Sequence, residues 1–321
     1  MGRAASVRGR SDPPMPSPPD LSALVALGQA LLARGYQFTA ITPASHERVL
    51  AREPLRDARD LRDVFGWSRP FRPALVGDEI VENLRTAGVL HETDDGRLRS
   101  GVRFASLGGR LYVHSAFPTS EPDAVFFGPD TYRFASLLGR TVRPSASRLL
   151  DVGAGSGAGG LSLLEPTSEL VLADLNPRAL GFARVNAQLA GATQVELVAS
   201  DLYAAVSGSF DAIIANPPYL VDDTKRTYRH GGGSRGTDLA VRIVREGAPR
   251  LRPGGQLVLY TATPIVDGRD LLRDALAPTL REWTHRYEEL DPDVFGEELA
   301  RPAYADVDRL SLVALVLQRT P

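Results

Sequence analysis

The chain has 321 residues, of which 43% are hydrophobic and 24% are charged, as in an ordinary globular protein. Lysine plus arginine numbers 37 and aspartate plus glutamate numbers 39, so the formal net charge of -2 predicts no general attraction to nucleic acid. The absence of cysteine excludes disulfides, thiolate nucleophiles and Cys-ligated zinc.

Residues 1–20 are rich in arginine, serine and proline and include no apolar stretch of the kind that forms the core of a signal peptide. We predict a disordered tail there. Elsewhere no apolar run approaches the roughly 18–20 residues that a membrane span requires, so no membrane partner is expected. The two observations favour a cytoplasmic protein.

The pattern over residues 21–117 predicts helices followed by short strands. Apolar residues recur at helical spacing from Leu21 to Arg34, and Gly35 follows as a helix-ending residue. Further helices are predicted over 46–52, 58–65 and 78–88, and short strands over 89–92, 97–99 and 110–114. A helix followed by strands around an Asp-Gly turn is typical of a winged-helix module, so we predict a small N-terminal helical, winged-helix-like domain.

The helix predicted over 78–88 bears on the partner of this domain, because winged-helix modules either bind DNA or dock other molecules. It carries Asp78, Glu79 and Glu82 and no basic stripe, which disfavours contact with the DNA backbone. The sequence therefore favours a substrate-docking role for residues 21–117.

A proline-containing linker over 118–122 precedes residues 123–321, where short apolar strands alternate with helices, as is typical of a parallel sheet. Strands are predicted over 148–152, 170–173, 195–199, 210–215 and 256–260, and helices over 159–164, 177–190, 238–251 and 268–277. Two final strands, 285–290 and 310–318, have no helix between them. We therefore predict an α/β, Rossmann-like sheet that is mostly parallel and has an antiparallel last strand.

A glycine-rich loop follows the first strand of this sheet. After Asp151 the chain carries glycines at alternate positions, Gly153, Gly155 and Gly157, before a helix. Glycine permits positive φ and lets the backbone approach a nucleoside closely. Asp151, at the strand end, is placed to accept hydrogen bonds from the amine of a bound cation, directly or through water.

Two more acidic residues end the next two strands. Asp174 is placed to accept from both ribose hydroxyls, and Asp201 from the exocyclic amine of an adenine. The glycine pattern also fits a dinucleotide site, so a dehydrogenase is an alternative. Three acidic strand ends suit an adenosine with a positively charged amino-acid tail better than a diphosphate. The predicted cofactor is therefore S-adenosylmethionine.

The stretch Asn216-Pro217-Pro218-Tyr219 follows the buried strand at 210–215, at the end where open α/β sheets bind their ligands. The asparagine offers an amide oxygen and an NH2 group, the prolines stiffen the backbone, and the tyrosine presents a flat face. Such a set can hold a planar amine or amide by its edge and its face. Alone, the tetrapeptide fits a turn that contains Asn and Pro equally well.

Over about 126–261 these motifs resemble those of class I S-adenosylmethionine-dependent methyltransferases, and more narrowly the HemK/PrmC-type protein-(glutamine-N5) methyltransferases of peptide release factors. The matching residues are Gly128-Pro129-Asp130-Thr131, Asp151-Val152-Gly153-Ala154-Gly155-Ser156-Gly157, Asp174-Leu175-Asn176-Pro177, Ser200-Asp201 and Asn216-Pro217-Pro218-Tyr219. The last tetrad is restricted to enzymes that act on planar exocyclic nitrogens, so the resemblance points to N-methylation.

The resemblance implies a cofactor site formed by Pro129, Thr131, Asp151, Gly153, Gly155, Gly157, Asp174, Leu175, Asp201, Leu202 and Asn216. It gives the catalytic roles to Asn216, Pro217 and Tyr219, with no metal ion. The implied reaction is methylation of a glutamine side-chain amide in a protein such as a peptide release factor. An adenine or guanine amine of ribosomal RNA is the alternative acceptor, and DNA is less favoured.

Two parts of the chain depart from the family pattern. The run over 237–239 does not match the family's Gly-Gly-x-Asp-Gly-Leu run cleanly, and the N-terminal region does not resemble its helical release-factor-binding domain. A regulator that binds DNA through the N-terminal domain is a further, non-enzymatic alternative. The loop over 222–236 is partly basic and contains an aromatic residue, which fits either a solvated loop or a clamp on the substrate.

Overall fold

The computed structural model describes residues 20–53, 56–164, 169–221, 231–232, 235–294 and 296–320. The predicted tail, except its last residue, and most of the loop over 222–236 lie outside the described residues. The described helices are α1 Leu21–Ala33, α2 Pro43–Arg52, α3 Leu61–Phe65, α4 Pro73–Val76, α5 Asp78–Thr86, α6 Pro129–Thr141, α7 Ala158–Ser162, α8 Pro177–Leu189, α9 Asp238–Gly247 and α10 Leu271–Glu282. In this described part of the chain, none of the helices has the length and apolar character needed to cross a membrane.

The strands fall into one large sheet and two small ones. Their bounds are β1 Leu90–Glu92, β2 Leu98–Ser100, β3 Val102–Leu107, β4 Arg110–Ser115, β5 Arg148–Val152, β6 Glu169–Asp174, β7 Val195–Ala199, β8 Phe210–Ala215, β9 Leu251–Val266, β10 Arg269–Asp270, β11 Thr284–Asp291 and β12 Arg309–Gln318. The central sheet has the order β7-β6-β5-β8-β9-β12-β11, and the short β10 pairs with β9. The hairpins β1-β2 and β3-β4 form the two small sheets.

Strands β5 to β9 of the central sheet are parallel, whereas β12 runs antiparallel to both β9 and β11. The predicted mostly parallel sheet with an antiparallel end is thus confirmed. Because parallel strands point the same way, the carboxyl ends of β5, β6, β7 and β8 meet at one edge of the sheet. That edge holds every acidic strand end singled out in the sequence.

Helices cover both faces of the middle of the sheet, so its central strands are apolar on both sides. Neighbouring residues of β8 show this, because Ile213 packs in the core formed with α9 and α10, and Ile214 in the core formed with α6. Ala212 packs in a third core with α7 and α8. All three are 0% exposed, as expected for a central strand of a doubly covered sheet.

The N-terminal region is joined to the sheet through α1. The Asp20 carboxylate caps this helix by accepting from the Ser22 backbone N–H at 2.9 Å. Leu27 on its buried face lies in the same hydrophobic core as Leu84 of α5 and Phe182 of α8. Residues 21–117 therefore share a continuous core with a helix of the sheet domain.

The N-terminal region consists of helices followed by hairpins, and its assignment as a winged-helix-like module stays a prediction. Helix α5 leads into the β1-β2 hairpin, and Phe71, just before α4, forms an antiparallel bridge with Leu98 of β2. The segment at Phe71 thus pairs with β2, which in turn pairs with β1. The acidic residues Asp78, Glu79 and Glu82 of α5 are all exposed.

Helix α4 and strands β3 and β10 were not predicted from the sequence, and three further elements of the sheet domain differ from the prediction. Helix α6 was not predicted, because strong apolar residues such as Phe134 and Leu137 are sparse in its sequence and Gly139 lies near its end. Strand β9 begins at Leu251 and continues through a Pro-Gly-Gly stretch that suggests a turn. Helix α10 passes Pro278, which is exposed, so the carbonyl that loses its N–H partner can bond to water.

Candidate cofactor and acceptor site

The glycine-rich loop leaves β5 in a conformation that only glycine adopts easily. Gly153, Gly155 and Gly157 have φ angles of +69°, +55° and +76°, in the left-handed region that is costly for residues with a Cβ atom. Gly157 is the residue before α7, so the chain turns directly from strand to helix. The loop backbone is thereby brought to the carboxyl edge of the sheet without side chains in the way.

Asp174, at the end of β6, anchors this loop. One carboxylate oxygen accepts from the Gly155 backbone N–H and the other from the Asn176 backbone N–H, both at 2.8 Å. Burial raises the pKa of the carboxyl, and the two backbone bonds oppose that rise. Each oxygen keeps a further lone pair, so the group can also accept from hydroxyls of a ligand.

Asp151, at the end of β5, is more deeply buried than its predicted role required. It is 2% exposed, and its Oδ2 accepts from the Gly160 backbone N–H at 2.8 Å. Burial raises the pKa of this carboxyl to about 7; the Gly160 bond lowers it and the nearby Asp174 charge adds to the rise. A Cβ atom at Gly159 would lie 2.9 Å from Oδ2, so a glycine there preserves the space around the carboxylate.

A cavity of about 440 Å³ lies against these strand ends, a size within the roughly 300–1,000 Å³ of small-molecule sites. Its walls bring together eleven residues predicted from the sequence: Thr131, Asp151, Gly153, Gly155, Asp174, Leu175, Asp201, Leu202, Asn216, Pro217 and Tyr219. Two predicted residues do not line it. Pro129 instead forms the first residue of α6, and Gly157 precedes α7.

The charged side chains that the structure describes in the cavity lining are all acidic. The described lining includes the carboxylates of Asp130, Asp151, Asp174 and Asp201 and no lysine, arginine or histidine. Such a site suits a positively charged ligand and repels a diphosphate. In addition, the Gly155 amide is already bonded to Asp174 and is not free for a phosphate oxygen. Both observations count against the dehydrogenase alternative.

Apolar side chains form the remaining walls. Leu175, directly after Asp174, is 68% exposed and lies in the cavity lining, where its side chain is open to a flat ring. Leu202, which follows Asp201, has a φ of +49°, a conformation that costs a non-glycine residue free energy. The two leucines and the two carboxylates beside them match the apolar face and polar edge of an adenosine.

Asn216 lies directly after β8 and is half-buried in the cavity wall. Among the residues that the structure describes, none hydrogen-bonds to its side-chain amide. Pro217 follows and has no backbone N–H, so the polar groups that these two residues offer a ligand are the side-chain amide and the backbone carbonyls. The arrangement leaves acceptor oxygens free for a bound NH2 group.

Tyr219 is held more tightly than a freely stacking side chain. Its side chain is 9% exposed, and its hydroxyl donates to Asp130 Oδ2 at 2.7 Å. Tyr260 of β9, which is 0% exposed, donates to the other oxygen of the same carboxylate at 2.9 Å. Sequence analysis assigned no role to Asp130, although it lies in the matched run Gly128-Pro129-Asp130-Thr131. No local signal connects it with a tyrosine 130 residues later.

The sheet order and the acidic cleft at its carboxyl edge define the class I S-adenosylmethionine-dependent methyltransferase fold. Residues 131–279 match the family described as methyltransferase small domain. The carboxylate-lined cavity fits the positively charged cofactor of this class. The predicted fold is therefore confirmed, and the family match agrees with the predicted resemblance to methyltransferases.

Among curated relatives, a release factor glutamine methyltransferase from Deinococcus radiodurans is 37% identical over 195 residues, or 56% of this chain and 66% of that protein. A ribosomal RNA small subunit methyltransferase C from Chromohalobacter salexigens is 37% identical over 116 residues, or 36% of this chain and 32% of that protein. A solved 16S rRNA N2 methyltransferase from T. thermophilus, in complex with AdoMet and guanosine, is 18% identical with a TM-score of 0.44, covering 78% of this chain and 64% of that one.

The extent of these matches differs between the two kinds of relative. Three release factor glutamine methyltransferases match over 66%, 59% and 56% of their own lengths, so the chain spans less than two thirds of each. The ribosomal RNA relative matches over a smaller part of both chains. The similarity is therefore broader to the enzymes that modify a protein.

Proposed function

We propose that this protein transfers a methyl group from S-adenosylmethionine to the side-chain amide of a glutamine in a protein such as a peptide release factor. The single observation that carries the proposal is the Asn216 side-chain amide, which lies in the cavity wall with no partner among the described residues. The similarity to release factor glutamine methyltransferases supports the same acceptor.

The residues that would hold the cofactor are those at the carboxyl ends of β5, β6 and β7. Asp174 would accept from the ribose hydroxyls, Asp201 from the adenine amine, and Asp151 would face the positively charged part. Leu175 and Leu202 would contact the adenine faces. When bound, S-adenosylmethionine supplies an activated methyl group on a positively charged sulfur.

Asn216 and Pro217 would orient and activate the acceptor. An amide nitrogen is a poor nucleophile because its lone pair is delocalised into the carbonyl. The Asn216 side-chain oxygen and the Pro217 carbonyl would accept the two hydrogens of the glutamine NH2, which favours a pyramidal nitrogen and offsets its growing positive charge. The Tyr219 ring would contact the face of the flat amide. No general base is needed, because the methylated nitrogen loses its proton readily.

The test measures transfer and cofactor binding separately. Purified protein is incubated with isotopically labelled S-adenosylmethionine and a release factor isolated from cells that lack this enzyme, and the labelled glutamine is located by peptide mass spectrometry. We expect labelling by the wild type and by Gln188→Ala, a control amide exposed on α8 and outside the cavity lining. Asn216→Ala should abolish transfer and keep the cofactor Kd within about a few-fold. Wild-type turnover by Asn216→Ala would contradict the proposal.

The second candidate acceptor is an exocyclic amine of ribosomal RNA, because the same part of the chain is similar to a ribosomal RNA methyltransferase. An adenine or guanine amine is also flat and poorly nucleophilic, so the same acceptors would serve it. Labelling of a whole-cell lysate decides between the two. Label that survives RNase and is lost to protease supports glutamine, and the converse result supports RNA.

We further propose that residues 21–117 dock the substrate and residues 123–321 carry out the transfer. The exposed acidic residues of α5 support docking of a protein rather than of a nucleic acid backbone. Reversing two of these charges with Asp78→Lys and Glu82→Lys should raise the KM for the protein acceptor and leave the cofactor Kd unchanged. An unchanged KM would contradict docking through this face.

A further inference from the structure

We propose that Asp130 is a positioning residue that holds Tyr219 in the plane required for methyl transfer. The inference rests on the proposed function and extends it, because it names a residue that acts through another rather than on the acceptor itself. Asp130 lies at the second position of α6, in the cavity wall beside Thr131.

The geometry leaves the carboxylate little freedom. Its Oδ2 accepts from the Tyr219 hydroxyl at 2.7 Å and its Oδ1 from the Tyr260 hydroxyl at 2.9 Å. Because one oxygen is bonded to the loop after β8 and the other to strand β9, rotation of the carboxylate would break at least one bond. The first turn of α6, the loop after β8 and strand β9 are thereby tied at one point.

Tyr260 limits the movement of the Asp130 carboxylate and its two hydrogen bonds. It is 0% exposed and packs with Phe134 of α6, their ring centroids lying 5.9 Å apart. Its hydroxyl therefore cannot follow Asp130 if the carboxylate moves toward solvent. The buried tyrosine acts as the fixed end of the contact, and Tyr219 as the end that faces the cavity.

The surroundings of this contact favour a neutral phenol that donates to the carboxylate. Asp130 occupies the first turn of a 13-residue helix, where the helix dipole favours negative charge. Burial, together with the Asp130 charge, raises the pKa of Tyr219 well above its usual value, so the phenol keeps its proton and donates it to the carboxylate. Hydrogen bonds to a charged acceptor are roughly twice as strong as neutral ones.

A fixed ring matters because a methyl transfer requires an in-line nucleophile at a defined angle. Tyr219 is 9% exposed, so only a small part of its ring is open to contact the acceptor. Without Asp130 the phenol would lose its charged partner, and the ring would sample other angles. Displacements of about 1 Å at such a site cost up to roughly 100-fold in rate.

The experiment is a double-mutant cycle of Asp130→Asn and Tyr219→Phe, measured with whichever macromolecule the wild type labels. Each single variant removes the charged hydrogen bond and keeps the side-chain shape. We expect each to lower kcat by about 10- to 100-fold, with the cofactor Kd within about twofold. The double variant should be no slower than the slower single variant, because both changes remove one shared contact.

Tyr203→Phe is the matched control. Tyr203 is 2% exposed and donates its hydroxyl to the Ile243 carbonyl at 2.9 Å, on the α9 side of the sheet and outside the cavity lining. Tyr203→Phe removes one buried tyrosine hydrogen bond, as Tyr219→Phe does. We expect a lower midpoint of thermal unfolding and an unchanged kcat, which separates positioning from general stability.

The outcomes divide cleanly between the two proposals. A wild-type protein that binds the cofactor and labels neither protein nor RNA contradicts the proposed function and the inference together. A wild type that labels its acceptor, beside an Asp130→Asn variant with full kcat, overturns the inference alone. Additive losses in the double variant, or a loss confined to cofactor Kd, would likewise overturn it.

Discussion

The side chain of Asn186 donates to the carbonyl of Ser156 at 2.8 Å, so α8 holds the glycine-rich loop from behind. The same amide exchanges two hydrogen bonds with the backbone of Val113 in β4, at 2.7 and 3.1 Å. Asn186 is 0% exposed. One side chain of the sheet domain therefore fixes both the glycine-rich loop and the β3-β4 hairpin.

Replacing Asn186 with leucine should destabilise the protein and weaken cofactor binding together. The change leaves buried backbone groups of Val113 and Ser156 without partners, at a cost of about 1–3 kcal/mol each. Urea unfolding measures the first effect and calorimetric titration with S-adenosylmethionine the second. Asn83→Leu on α5 serves as a control. An unchanged unfolding free energy for Asn186→Leu would show that the bridge is not needed.

Cofactor affinity should depend on pH through Asp151. Because burial raises the pKa of this carboxyl to about 7, it is partly protonated near neutral pH in the free protein. A cation favours the ionised form, so affinity for S-adenosylmethionine should rise between about pH 6 and pH 8. S-adenosylhomocysteine lacks the sulfonium charge and should show a shallower rise.

Asp151→Asn supplies the control for this pH effect. The amide keeps the shape of the side chain and cannot ionise, so the difference in pH slope between the two ligands should shrink. Asp174 and Asp130 face the same cavity and remain in the variant. Isothermal titration at several pH values measures the slopes. Equal slopes for both ligands in the wild type would refute the role given to Asp151.

The N-terminal region should lose stability on mild acidification because of His46. Its Nε2 lies 2.9 Å from the Trp67 carbonyl, and its Nδ1 lies 3.4 Å from a nitrogen of the buried Arg103. Burial and the Arg103 charge lower the pKa of His46 to about 4. The unfolded chain takes up this proton near pH 6.5 and the folded one does not, so stability should fall as pH drops from about 6.5 to 4.

Denaturant unfolding at several pH values tests this. His46→Gln should reduce the loss of stability at low pH. Part of the loss should remain because burial also lowers the pKa of His114 well below its usual value. Exposed His285 provides the comparison, since His285→Gln should leave the decline intact. A wild-type protein equally stable at both ends of this pH range would contradict the prediction.

Gly155→Ala should impair cofactor binding more than it impairs folding. A Cβ atom there meets no atom within 4 Å, so alanine causes no steric clash. The remaining cost is the backbone strain of alanine at a φ of +55°, about 1 kcal/mol. Gly191→Ala, at a turn with φ of +68° and equally open space, carries the same strain away from the cavity. Both variants should show similar unfolding midpoints, and only Gly155→Ala should weaken S-adenosylmethionine binding. Equal affinities for the two would contradict a close approach of cofactor to this loop.

Much of this site could be predicted because its signals are local. Alternating glycines after a strand require a turn with positive φ, and Asp174 and Asn216 directly follow apolar strands. The partnership of Asp130 with Tyr219 and Tyr260 could not be predicted, since it depends on the order in which distant strands pair. The burial of Asp151 and the bridge made by Asn186 depend on how α7 and α8 pack, which strand and helix periodicity does not reveal.

Helix α8 carries two apolar faces, with Phe182 packed toward α1 and Ala183 toward the sheet. An N-terminal module with a different buried face would leave Phe182 exposed to water. The module therefore cannot be exchanged on its own without loss of packing at α8. Exchange between related enzymes would have to transplant α1 and the matching side of α8 together. Under the proposed docking role, a change of acceptor would therefore need new exposed side chains on the module rather than a new module.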